Sequence, residues 1–235
     1  MTKFVRPLVT SRVYQDGDGK VIGYGRRWGR DGPPYDAYSR TSHLDRYEPV
    51  QVVARALIDY LDRTYDVVVE RGPSCTNIFA RPELGFIPSP IVVVDAVAVS
   101  PRELSCAPLA FGFTSFPGLY LRAGVLHDFH FPGCGCDACD EGIDDVLDRL
   151  ERTVFAVTGG NYRESIKGRR RGTIGYAMDF AVGGEWSSRS WKPRRWNARR
   201  GLQSIGESPE RIKAAADRLA NAPNGWTAWP LRSKS

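Results

Sequence analysis

Between positions 50 and 65 apolar residues recur at helical spacing, with Val50, Val53, Ala54, Leu57, Ile58 and Leu61 on one face. Pro49 suits the first helical position, where its missing N–H costs no hydrogen bond. The spacing predicts a helix over Val50–Tyr65, ended by Asp66, with Val67-Val68-Val69 opening a strand. Arg71 to Pro90 carries four prolines and two glycines and predicts an irregular connection. Ile91–Ser100 is a near-continuous β-branched run suited to a central strand buried on both faces. Pro108–Thr114 alternates, with Leu109, Phe111 and Phe113 on one side. Phe116-Pro117-Gly118 reads as a turn, and Leu119–Val125 returns with Leu119, Leu121 and Ala123.

A loop then runs from His127 to Glu141 and leads into a second helix, predicted over Asp140–Val157. Its apolar face is Ile143, Val146, Leu147, Leu150, Val154 and Val157, and Thr158-Gly159-Gly160 stops it. Thr173–Val182 alternates as a further strand. Ser208-Pro209 caps a last helix bearing Ile212, Ala215, Ala216 and Leu219. The pattern predicts an α+β fold: an antiparallel sheet flanked by at least three helices, with a cysteine-rich loop between the sheet and the second helix.

Residues 1–49 lack this periodicity. Asp16-Gly17-Asp18-Gly19 is turn chemistry between Arg12–Gln15 and Val21–Tyr24 and predicts a short hairpin. Gly23-Tyr24-Gly25-Arg26-Arg27-Trp28-Gly29 has the glycines of a phosphate loop, but Pro33-Pro34 follows where a helix would have to open. An aromatic-anchored loop packed on the body is the expectation there. Residues 1–235 are expected to form a single α+β domain, with 1–49 packed irregularly on it. Residues 161–205 form a basic, aromatic-rich segment, and 206–235 a C-terminal helix and tail whose Trp226 and Trp229 dock onto the body.

Charge divides the chain. The net charge of +6 resolves into 17 Lys+Arg against 21 Asp+Glu over residues 1–160, and 16 against 6 over 161–235. A basic C-terminal third on an acidic body points to a polyanionic or acidic partner. The longest apolar run, Ile91–Val99, is interrupted by Asp95 and is too short to span a bilayer, so no membrane partner is expected. The N-terminus has no apolar stretch of the secretory type, and a cytoplasmic location is expected.

Three of the five cysteines, Cys134, Cys136 and Cys139, fall within six positions, with His127 and His130 just upstream. In a reducing compartment such clustering points to metal or redox chemistry rather than structural disulfides. Three thiolates and one imidazole make the tetrahedral set that zinc favours. Gly133 and Gly135 let the backbone fold tightly enough for the sulfurs to converge. His127 is the leading fourth ligand, with His130, Cys106 and His43 behind it. A second reading takes Cys136-Asp137-Ala138-Cys139 as a redox C-x-x-C at a helix N-terminus. Asp137, Asp140 and Glu141 oppose it by disfavouring thiolate and favouring a bound cation. A third takes the loop as a zinc-dependent hydrolase with Asp128 or Glu141 as base, although no H-E-x-x-H, G-x-S-x-G, Walker or deaminase pattern occurs. The bland alternative is small cysteines buried in a tight turn.

Within 167–200, Arg169, Arg170, Arg171, Arg194 and Arg195 are interleaved with Trp191 and Trp196. Arginines for phosphates and tryptophans for stacking are the combination that holds single-stranded nucleic acid. A solvated arm, or a tail paired with the acidic second helix, accounts for the same residues.

The chain resembles a family of uncharacterised actinobacterial proteins known only as a domain of unknown function. The resemblance rests on Tyr24-Gly25 through Trp28-Gly29, Pro33-Pro34, His43 with Glu48-Pro49, His127-Asp128-Phe129 and Phe131-Pro132. It continues through Cys134-Gly135-Cys136-Asp137-Ala138-Cys139-Asp140-Glu141, Tyr162-Arg163-Glu164, and Trp226 to Pro230. It implies a shared fold and loop but no activity. The family pattern has proline where this chain has His130, which favours His127 as ligand. The expectation is therefore a non-enzymatic intracellular protein that binds an unidentified protein partner and carries a zinc-stabilised Cys/His loop. Nucleic-acid binding through 167–200, a thiol oxidoreductase and a zinc hydrolase are the alternatives.

Overall fold

The computed structural model describes residues 3–9, 12–79, 92–168, 172–180, 183–191, 196–197, 202–203 and 209–233. The elements run α1 (Glu48–Thr64), β1 (Val67–Arg71), α2 (Pro73–Thr76), β2 (Val93–Pro101), β3 (Leu109–Thr114), β4 (Leu119–Ala123) and β5 (His127–Phe131). They continue with α3 (Ile143–Thr158), β6 (Tyr162–Lys167), β7 (Gly172–Asp179), β8 (Gly184–Trp191), β9 (Trp196–Asn197), β10 (Leu202–Gln203) and α4 (Pro209–Leu219). Strands β1 to β5 form an antiparallel sheet in sequence order, and β6 to β8 form a second, three-stranded antiparallel sheet. The α+β architecture, the antiparallel main sheet and the position of the cysteine loop between sheet and helix are as the pattern predicts.

Alternation explains the layers. In β2, Val97 and Val99 face the main core while Ala96 and Ala98 face the opposite side; in β3, Leu109, Phe111 and Phe113 face the core and Ala110 the other side. The core side receives α1 through Val50, Val53, Ala54, Leu57, Ile58 and Leu61, and α3 through Val146, Leu147, Leu150, Val154 and Val157. Each of these valines, leucines and isoleucines, fully buried, contributes about 1.5–3 kcal/mol. The small residues on the reverse face admit α2 and the short helix after it, with Cys75, Ile78 and Phe79 against Ala96, Ala98 and Ala110. Gly112 is required there, since a Cβ at that position would lie 2.9 Å from the Phe79 ring.

Two expectations are corrected. His127–Phe131 is the fifth strand rather than part of the loop, paired with β4 through Arg122↔Asp128 and Leu121↔Phe129. Its polar residues hid it: Asp128 is buried by a two-pronged ion pair with Arg122 on the neighbouring strand (2.6 and 2.9 Å). Helix α3 begins at Ile143, not Asp140, because Asp140 takes a left-handed backbone (φ 47°) and Gly142 is the N-cap. Strand β2 lies inside the sheet between β1 and β3 with both faces covered, as the pattern predicts, and all six residues of β3 beside it are buried.

The tail is deeper than docking requires. Trp226 and Trp229 belong to the same core as both large helices and as Tyr162 and Met178 of the second sheet. The Trp229 indole N–H donates to the Ala107 carbonyl (2.9 Å). The predicted N-terminal hairpin is present in reduced form, as one bridge between Gln15 and Val21 with the Asp16 carboxylate accepting from the Asp18 and Lys20 amides.

Candidate metal centre

The cysteine loop leaves β5 through a cis Phe131–Pro132 bond and spans eleven residues, 132–142, before α3. Its backbone is held from two sides. On one side the N-terminal segment meets it: Asp137 N–H donates to Arg40 O (2.8 Å) and Ala138 N–H to Ala37 O (3.1 Å). The buried Asp137 carboxylate accepts from the Ser42 amide (2.8 Å) and the Ser42 hydroxyl (2.7 Å). Asp137 O accepts from the Trp28 indole (3.0 Å) and the Arg27 guanidinium (3.2 Å). Asp140 accepts from the Arg27 amide (2.8 Å). Gly25, at φ 88°, sits so close to Gly142 that an added Cβ would meet its Cα at 3.1 Å. The glycine- and arginine-rich stretch after the hairpin is thus the clamp of this loop.

On the other side, Glu141 folds back and accepts from the amides of Gly133 (3.2 Å) and Cys134 (2.6 Å) while pairing with Arg149 of α3 (2.5 Å). Tyr47, at the start of α1, donates its hydroxyl proton to Glu141 O (3.3 Å).

Inside this frame the sulfurs of Cys134, Cys136 and Cys139 all lie within 4.8 Å of one another. Cys134 and Cys136 Sγ are 3.2 Å apart. Cys134 and Cys136 are half-buried and Cys139 is exposed, so the cluster opens at the surface. Burial pushes the Cys136 thiol up, but hydrogen bonds from the Cys134 side chain and from Cys139 and Ala138 outweigh it and leave its pKa lowered. Hydrogen bonds with Cys134 and Cys136, aided by burial, push the Cys139 thiol up to about 12. Burial raises the Asp137 carboxyl, but the Ser42 bonds and the charges of Arg27 and Arg46 bring it below the usual carboxylate value.

The structure brings the three predicted cysteines together and places the predicted histidines elsewhere. His127 stands at the far end of β5, its Nδ1 2.9 Å from the fully buried Glu164 carboxylate and its ring edge-on to Tyr176. His130 packs against Tyr120 (ring centroids 4.4 Å). His43 bonds the Tyr24 hydroxyl through Nδ1 (2.8 Å), and buried Cys106 bonds Thr227 and the Ala228 carbonyl. The acidic residues also differ from expectation. Asp137 and Glu141 are committed to backbone, Ser42 and Arg149, so these two carboxylates shape the loop rather than present free charge to a cation; Asp140 faces Arg27, with its buried Oδ1 left without a hydrogen bond.

Sequence reasoning missed Glu164. Its carboxylate accepts from the amides of Val125 and Leu126 (2.9 Å each), from His127 Nδ1 and from the Trp226 indole (3.1 Å). It thereby knits the β4–β5 turn, the second sheet and the tail. Its only sequence signal was its place in the Tyr162-Arg163-Glu164 stretch. Of the basic segment, Arg169, Arg170, Arg171, Arg194 and Arg195 lie outside the described residues; Trp191 and Trp196 fall in β8 and β9, and their side chains lie outside the description as well.

Fold and site together define an α+β protein with a three-cysteine loop clamped between its N-terminal segment and its second long helix. The chain belongs to a family of unknown function (DUF6226), whose model matches residues 10–233. Comparison with curated proteins and with solved structures found no match. Among the described residues no helix is long and apolar enough to cross a membrane.

Proposed function

We propose that the chain is a non-enzymatic interaction protein of the cytoplasm whose cysteine loop is fixed by a zinc ion held by Cys134, Cys136 and Cys139. The observation that carries this reading is the convergence of three sulfurs in a loop whose carboxylates are turned away from them into protein hydrogen bonds. Neutral thiols gain little from that proximity, whereas three thiolates about a divalent ion are the larger part of a zinc shell. The second layer suits the role, since Glu141 and Asp137 fix the backbone on either side of the ligands, as outer partners in metal sites do.

The geometry is less favourable to the enzymatic alternatives. The redox reading drew on a helix N-terminus, but α3 starts four residues beyond Cys139, and the dipole's influence falls off within the first turn. The hydrolase reading needed a free base; Asp128 is paired with Arg122 and Glu141 with Arg149 and two amides. His127 is not carried into the proposed ligand set, because it stands at the other end of β5 and lies outside the group of converging ligand atoms. The interaction role draws on the exposed apolar side chains Leu8, Val13, Val21, Tyr35 and Tyr38, which cluster in the N-terminal segment.

Thiol alkylation of native protein tests the site. With zinc bound, all five cysteines react slowly, because Cys75 and Cys106 are buried and the other three are ligands. Chelation is expected to speed alkylation most at Cys136, whose thiol pKa is lowered, and least at Cys139, whose thiol stays protonated, and to leave Cys75 and Cys106 protected. Fast reaction at Cys136 before chelation would count against bound metal.

A further inference from the structure

The proposed centre lacks a fourth protein donor among the described residues. The cluster of converging ligand atoms comprises the three cysteines alone. Among the described residues no carboxylate joins the group: Glu141 is held by Gly133, Cys134 and Arg149, Asp137 by Ser42 and Arg27, and Asp140 accepts from the Arg27 amide through Oδ2, its buried Oδ1 having no hydrogen-bond partner. His127 lies at the other end of β5 on Glu164, and Cys106 is buried against Thr227. The side toward Cys139 is open to solvent.

Resting on the metal reading above, we propose that the ion keeps one outward-facing coordination position and that this position takes an external thiol, bound as thiolate. Structural zinc sites are closed by four protein ligands, whereas sites that exchange ligands hold three and leave one open. The choice of ligand follows from the donor set. Three thiolates on a divalent ion give the unit a net charge of −1, which weakens its pull on a bound water. A soft sulfur donor matches the same ion, and a thiol that coordinates is deprotonated outright. The exchange balances without electron transfer: the metal–oxygen bond to water breaks, a metal–sulfur bond forms, and the thiol proton passes to solvent.

Cobalt(II) in place of zinc makes the shell visible. The full chain is loaded with cobalt in buffer free of thiol reductant, then titrated with 2-mercaptoethanol, with imidazole in a parallel arm. The expected result is a shift of the ligand-field bands and a rise of about one third in sulfur-to-cobalt charge-transfer intensity per metal, for four thiolates against three. The cobalt stays with the protein through gel filtration, and imidazole moves the ligand-field bands without raising the charge-transfer band. Bands that ignore thiol while cobalt stays bound overturn the open position and leave the metal reading standing. Cobalt stripped by the thiol also overturns it. A chain that never retains cobalt overturns both.

Discussion

At the scale of single residues, the site is governed by buried carboxylates with several donors each. Among the described residues Asp137 is the acceptor for both the Ser42 amide and hydroxyl, and removing it strands both beside Arg27. Asp137→Ala is expected to cost about 2–3 kcal/mol in urea denaturation, whereas Asp36→Ala, at an exposed pair with Arg40, should stay within about 0.5 kcal/mol. Equal effects of the two changes would contradict the clamp. Glu164→Gln retains size but turns a donor toward amides that need an acceptor, and about 2–4 kcal/mol of lost thermal stability is expected. A melting curve unchanged by Glu164→Gln would show that the carboxylate is not the hub. Residues of this kind were the least legible. Cys134, Cys136 and Cys139 stood out by spacing, but Glu164 and the fate of His127 depend on partners 37 residues apart, and nothing local marks them.

Elements were readable where one period dominated. Helices α1 and α3 showed themselves because nearly every core-facing position is aliphatic, and β3 and β4 because alternation was unbroken. Strand β5 was hidden by Asp128, whose side chain is paired with Arg122 across the sheet. Strands β6 and β8 were hidden for related reasons: β6 turns Glu164 inward, and β8 reads Gly-Glu-Trp-Ser-Ser-Arg-Ser-Trp, largely polar. The tail behaves as a core element despite its irregular backbone. Trp229→Ala should therefore cost about 3–5 kcal/mol, as deletion of a buried aromatic does, measured by urea denaturation. A cost below about 1 kcal/mol would place the tryptophan outside the core.

For the molecule as a whole, the loop is where three parts of the chain meet: the N-terminal segment through Arg27, Trp28 and Ser42, the start of α1 through Tyr47, and α3 through Arg149. An ion at the three sulfurs would tie these parts together, and binding to the native state alone stabilises it by mass action. Chelation is expected to lower the melting temperature of the native chain and leave Cys136→Ser unaffected, since that variant would already lack the ion. Elemental analysis of the purified chain beside Cys136→Ser tests the central claim most directly. The account predicts close to one zinc per chain in the native protein and far less in the variant; equal metal content in the two, or none in the native chain, would contradict it.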